Sequence, residues 1–98
     1  MAQIGIDKMS FFSPHQYIDM TELANARNEE PGKYLIGIGQ TQQAVVPPTQ
    51  DVVTMAVNAA DQILTPAERE EIDTIIFATE SGIDNSKSAA VYAQRLLG

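Results

Sequence analysis

Apolar and polar positions alternate where the chain begins. In QIGIDKMSFF, residues 3–12, Ile4 and Ile6 share one face and Met9 and Phe11 the other, which predicts a first strand ended by Pro14. The period then lengthens. Asp19 is a good N-cap with Glu22 at capping-box spacing, and Ile18 and Leu23 stand at the two staple positions, so a short helix is expected from Met20 to Arg27. Residues 28–34 read as a polar loop around Pro31 and Gly32. In LIGIGQTQQAVV, Gly37 and Gly39 imitate a dinucleotide loop, but Gln42 stands where the third glycine belongs. The plainer reading is a tight bend followed by a short strand from Gln43 to Val46.

Pro47 and Pro48 close that strand, and Thr49 is the expected cap of a long helix over 50–64. Val52, Val53, Ala56, Val57, Ala60, Ile63 and Leu64 recur on one broad face of it, and Asp51 falls in its first turn. Its many alanines suggest close packing against a sheet. TPAEREEI repeats the start signals, with Thr65 as N-cap, Pro66 at the first helical position and Glu68 at the third. DTIIFAT, residues 73–79, does not alternate, which predicts a strand buried on both faces in the middle of a helix-covered sheet. NSKSAAVYAQRLLG ends the chain as a helix with a stripe of Ala89, Ala93, Leu96 and Leu97 and with Gly98 placed to terminate it. Strand, helix, strand, helix, strand and helix in this order predict an α/β fold. The sheet is unfinished, because a central strand needs a neighbour on each side.

Composition narrows the chemistry. With 98 residues the chain suits one small domain, and 6 basic against 13 acidic residues give a net charge of −7, which disfavours binding to nucleic-acid phosphates. There is no cysteine and a single histidine, His15, so neither a thiolate metal site nor a Cys/His pair forms within these residues. His15 is expected in a surface loop. Residues 1–5 lack the pattern of a signal peptide and no apolar run approaches bilayer-spanning length, so a soluble, cytoplasmic protein without a membrane partner is expected.

The acidic residue in an unusual place is Glu80, immediately after the apolar run that ends at Thr79. In open α/β sheets, sites collect at the carboxyl ends of strands. A carboxylate held there partly out of water is a suitable proton-transfer group. Position alone leaves a second reading open, in which Glu80 only caps the following turn.

IGIDKMSFFSPHQYIDMTELANAR, PGKYLIGIGQTQ, QDVVTMAVNAA and ATESGIDNSKSAA together resemble the N-terminal part of the bacterial 3-hydroxy-3-methylglutaryl-CoA synthases. The resemblance covers essentially the whole chain, and TES followed by D-x-S-K is its most specific element. It implies that residues 1–98 are an incomplete, N-terminal portion of a thiolase-like condensing-enzyme domain, a layered α-β-α-β-α fold. It also implies the condensation of acetyl-CoA with acetoacetyl-CoA in the mevalonate pathway. Both thioesters are substrates; no cofactor and no metal are implied, and the full-length enzyme is expected to be a homodimer. The family's catalytic glutamate falls on Glu80. Its CoA-contacting loop falls on Glu30, Pro31 and Lys33, with Lys33 a point charge for phosphate and Glu30 one methylene longer than the family's usual aspartate. From its own position alone, Lys33 reads as a solvated surface lysine, and the resemblance is what sets the phosphate-binding reading beside that one. Ser86 and Lys87 are expected to support the turn after Glu80.

The family's nucleophilic cysteine and its histidine lie beyond residue 98, so the 98-residue chain alone is expected to be inactive. Three readings stand: a portion of the full enzyme, one of two chains that complete a shared site, or a non-catalytic acidic α/β module that binds a partner through its unfinished sheet edge.

Overall fold

Asp19 both ends a strand and starts a helix in the computed structural model, which describes residues 3–98. The chain divides into two units, residues 13–49 and residues 3–12 with 50–98. Met1 and Ala2, at the head of the N-terminal stretch read as unlike a signal peptide, lie outside the described residues.

In the first unit, β1 (Gln16–Asp19) pairs antiparallel with β2 (Gln42–Val45), in a register that sets Gln16 opposite Val45 and Asp19 opposite Gln42. Between them in sequence runs α1 (Met20–Ala26). The Asp19 carboxylate accepts from the amides of Thr21 and Glu22 at 2.9 and 3.1 Å, satisfying two of the donors that a helix start leaves open. Met20 and Ala24 are fully buried, and the Met20 amide donates to the Thr41 carbonyl, tying the helix start to the approach of β2. The expected bend after the polar loop is a π-helical segment, Lys33–Ile38, which stops at Gly39 with φ 79°, a left-handed conformation that glycine adopts without a Cβ penalty.

The second unit is built on two helices. α2 (Val52–Asp61) is capped by Asp51, not Thr49: its carboxylate accepts from the Thr54 amide and the Thr54 hydroxyl accepts in turn from the Asp51 amide, so the helix starts later than expected. α3 (Pro66–Glu71) starts as its sequence dictates, with Thr65 and Glu68 capping each other. α4 (Ala89–Leu97) is capped by Ser88 and closed by Gly98. Val53 of α2 is buried with Ala89 and Ala93 of α4, and Val52, Val57, Phe77 and Tyr92 pack around them. The small side chains on α4 bring the two helices together, so α2 packs on a helix where a sheet was expected.

Two expected strands are absent. Residues 3–12 and 73–79 carry no regular structure, and Ile4, Ile6, Met9, Phe11 and Ile76 are exposed, Ile76 at 89%. The physical reason is pairing. A strand exists through its ladder to a neighbour, and among the described residues only β1 and β2 have one. The apolar composition that suits 73–79 to a sheet interior does not supply the partner strand. Phe77 is the residue of this stretch that reaches the helix core.

Candidate functional site

Glu80 sits at the start of an irregular segment between residue 79 and α4. It is exposed, and this corrects the expectation of a carboxylate withdrawn from water: with 73–79 unpaired, nothing covers its end. Among the described residues its carboxylate takes no hydrogen bond and no ion pair, so its lone pairs are open. It does not cap the turn that follows. That role belongs to Thr79, whose hydroxyl accepts from the Ser81 amide at 3.1 Å, and to Asp84, which accepts from the amides of Ser86 and Lys87 at 2.7 and 3.1 Å.

The two neighbouring carboxylates therefore differ in kind. Asp84 carries a third hydrogen bond, from the Tyr92 hydroxyl at 2.6 Å. That hydroxyl first, and then the two amides, hold the Asp84 carboxyl down to about 2. The Tyr92 phenol is pushed above its ordinary value, chiefly by its bond to Asp84. The Lys87 ammonium lies 5.6 Å from the centre of the Tyr92 ring, within reach of its negative face. Ser86 and Lys87 do support the turn, as read from the sequence, but through their backbone amides. Asp84 and Tyr92, which the sequence reading left without a role, organise it. The spacing of an aspartate two and three residues before the amides it holds was the available signal.

The loop read as contacting CoA lies in the other unit. The Glu30 carbonyl accepts from the Lys33 amide, and the Pro31 carbonyl accepts from the amides of Tyr34 and Leu35, each at 3.0 Å. Glu30 and Pro31 thus supply the carbonyls that start the π-helical segment, and Lys33 is its first residue instead of a loop residue. The Lys33 side chain is 65% exposed and its ammonium is bound to the Glu29 carboxylate, whose hydrogen bond and charge raise the Lys33 pKa. Lys33 is therefore neither a free surface charge nor a buried one. His15 is exposed beside β1, as expected of a surface residue. A cavity of about 410 Å³ opens beside Arg69, Ile75 and Gln94; Glu80 does not line it.

The chain matches, over residues 1–98, the family described as hydroxymethylglutaryl-coenzyme A synthase N terminal. It is 62% identical over 95 residues to a hydroxymethylglutaryl-CoA synthase of Enterococcus faecalis, an alignment that covers 97% of this chain and 25% of that protein. It is 37% identical over 101 residues to a polyketide biosynthesis 3-hydroxy-3-methylglutaryl-ACP synthase of Bacillus subtilis, covering 100% of this chain and 24% of that one. Among solved structures, a crystal structure of HMG-CoA synthase complexed with CoA superposes with a TM-score of 0.82 at 45% identity, over 95% of this chain and 24% of that one. The fold is thus that of the N-terminal portion of a thiolase-like synthase, and the chain spans about a quarter of the length of the relatives it matches.

Proposed function

The chain belongs to the hydroxymethylglutaryl-coenzyme A synthase family, and from that premise we propose that it is the N-terminal part of an enzyme that condenses acetyl-CoA with acetoacetyl-CoA to 3-hydroxy-3-methylglutaryl-CoA, with Glu80 as the base. The observation that carries this reading is the open carboxylate of Glu80 beside the fully engaged one of Asp84. A base needs a free lone pair within reach of a proton, and the apolar run before Glu80 suits it to a site from which water is excluded when the sheet is complete.

The chemistry divides accordingly. An acetyl group is carried as a thioester on a cysteine from outside these residues, since the chain has none. Glu80 takes a proton from the acetyl methyl. The electron pair left behind attacks the ketone carbon of acetoacetyl-CoA, whose oxygen gains a proton, and water then releases the product from the cysteine. Lys33 holds a phosphate of the CoA portion as a point charge, and the Glu30–Pro31 carbonyls fix where its helical segment begins. The identity of 62% to a CoA-dependent relative against 37% to an acyl-carrier-protein-dependent one favours CoA thioesters. The family resemblance supports a cytoplasmic homodimer without a resident cofactor.

Glu80→Gln tests the assignment, because it keeps the shape and removes the proton acceptor. In the full-length enzyme, single-turnover condensation is expected to fall by about 10²-fold or more, with loss of proton exchange at the acetyl methyl. Acetyl transfer to the cysteine should survive. Condensation at the unmutated rate rejects the role.

A further inference from the structure

Residues 73–87, which carry Glu80, have neither helix nor strand. Their hydrogen bonds among the described residues are local: Thr74 to Asp73, Ser81 to Thr79, and the amides of Ser86 and Lys87 to Asp84. One bond reaches outside the segment, from the Tyr92 hydroxyl to Asp84 Oδ2 at 2.6 Å. Tyr92 stands on α4, one turn from Ala89 and next to Ala93, the residues buried against Val53 of α2, and its ring packs on the same cluster. On the other side of Glu80, Phe77 packs on that cluster as well. Glu80 is therefore slung between two attachments to one core. The Phe77 contact is apolar and fixes little direction. The bond to Asp84 is directional, charge-assisted and short, and the carboxylate that receives it also sets the turn through Ser86 and Lys87.

We propose that Tyr92 is a positioning residue for the condensation: its hydroxyl, through Asp84, fixes the segment that aims the Glu80 carboxylate at the acetyl methyl. The inference rests on the reading of Glu80 as the base. It requires that removing one oxygen from α4 alter the proton-abstraction step without disturbing the packing of the ring. An ångström of misplacement at a reacting group lowers a rate by up to about a hundredfold.

Tyr92→Phe keeps the ring and deletes the hydroxyl. In the full-length synthase containing these residues, condensation and acetyl-methyl proton exchange should both fall by about ten- to a hundredfold. KM for acetoacetyl-CoA and the rate of acetyl transfer to the cysteine should stay within about twofold of wild type, with Tm little changed. Glu80→Gln, assayed in parallel, separates the two claims. If Glu80→Gln leaves condensation intact, the base assignment fails and this inference with it. If Glu80→Gln abolishes condensation while Tyr92→Phe leaves it at wild-type speed, Glu80 is the base and Tyr92 does not position it. Equal losses in acetyl transfer and condensation with a lowered Tm make Tyr92 a stability residue only and overturn the proposal.

Discussion

The Lys33 ammonium is bound to the carboxylate of Glu29, which precedes the π-helical segment that Lys33 begins. A CoA phosphate that takes up Lys33 has to compete with that carboxylate or share the ammonium with it. Both side chains are in contact with solvent, so the pair itself is weak and exchange is easy. Lys33→Ala in the full-length enzyme is expected to raise the dissociation constant of acetoacetyl-CoA by about tenfold or more, while the rate of condensation at saturation changes little. Equilibrium binding and single-turnover kinetics measure the two quantities separately. An unchanged dissociation constant would remove Lys33 from the CoA site.

Glu29→Gln should act in the opposite direction. It removes the competing charge and leaves Lys33 in place, so acetoacetyl-CoA should bind about two- to fivefold more tightly, the scale of an exposed ion pair. The same variant should lower the Lys33 pKa, because the Glu29 hydrogen bond and charge are what raise it. Binding measured at two salt concentrations checks the origin of the effect: the difference between variant and wild type should shrink as salt rises.

The pair of Asp84 and Tyr92 sets two limits of pH. The Asp84 carboxyl is held down to about 2 from an ordinary 3.8, so its contribution to stability is complete above 3.8 and is lost as pH falls through about 2. The Tyr92 phenol is raised from an ordinary 10.0, so its contribution is complete below 10.0 and is lost as pH rises through its elevated pKa. Carbon-detected NMR of the Asp84 carboxyl and phenolate absorbance of Tyr92 should show both displacements. Tyr92→Phe should move the Asp84 titration upward toward its ordinary value, and a titration that stays in place would show that the amides alone hold it.

Asp51 and Thr54 close the start of α2 by a reciprocal pair of bonds, each 2.9 Å long. Asp51→Ala is expected to destabilise the protein by about 1 kcal/mol, read as a lowered midpoint in urea unfolding. Thr49→Ala, at the position the sequence suggested for the cap, should leave the midpoint unchanged.

Local chemistry made much of this protein legible in its sequence. Asp19, Thr65 with Pro66 and Glu68, and Gly98 mark helix ends because capping acts through bonds that span only a few residues. The turn from Thr79 to Lys87 forms for a similar reason, since it is held largely by neighbours in sequence. What the sequence could not settle depends on partners that are distant along the chain. Ile4 to Phe11 and Asp73 to Thr79 have the composition of strands, yet a strand forms only beside another, and that neighbour is not encoded in the strand itself. The stripe that holds Ala89 and Ala93 marks a packing face of α4 without naming what packs on it, and the tertiary structure gives that place to Val53 of α2. The bond from Tyr92 to Asp84 belongs to the same class. Its two groups lie eight residues apart across a turn and a helix start, and only the docking of α4 brings the hydroxyl to the carboxylate.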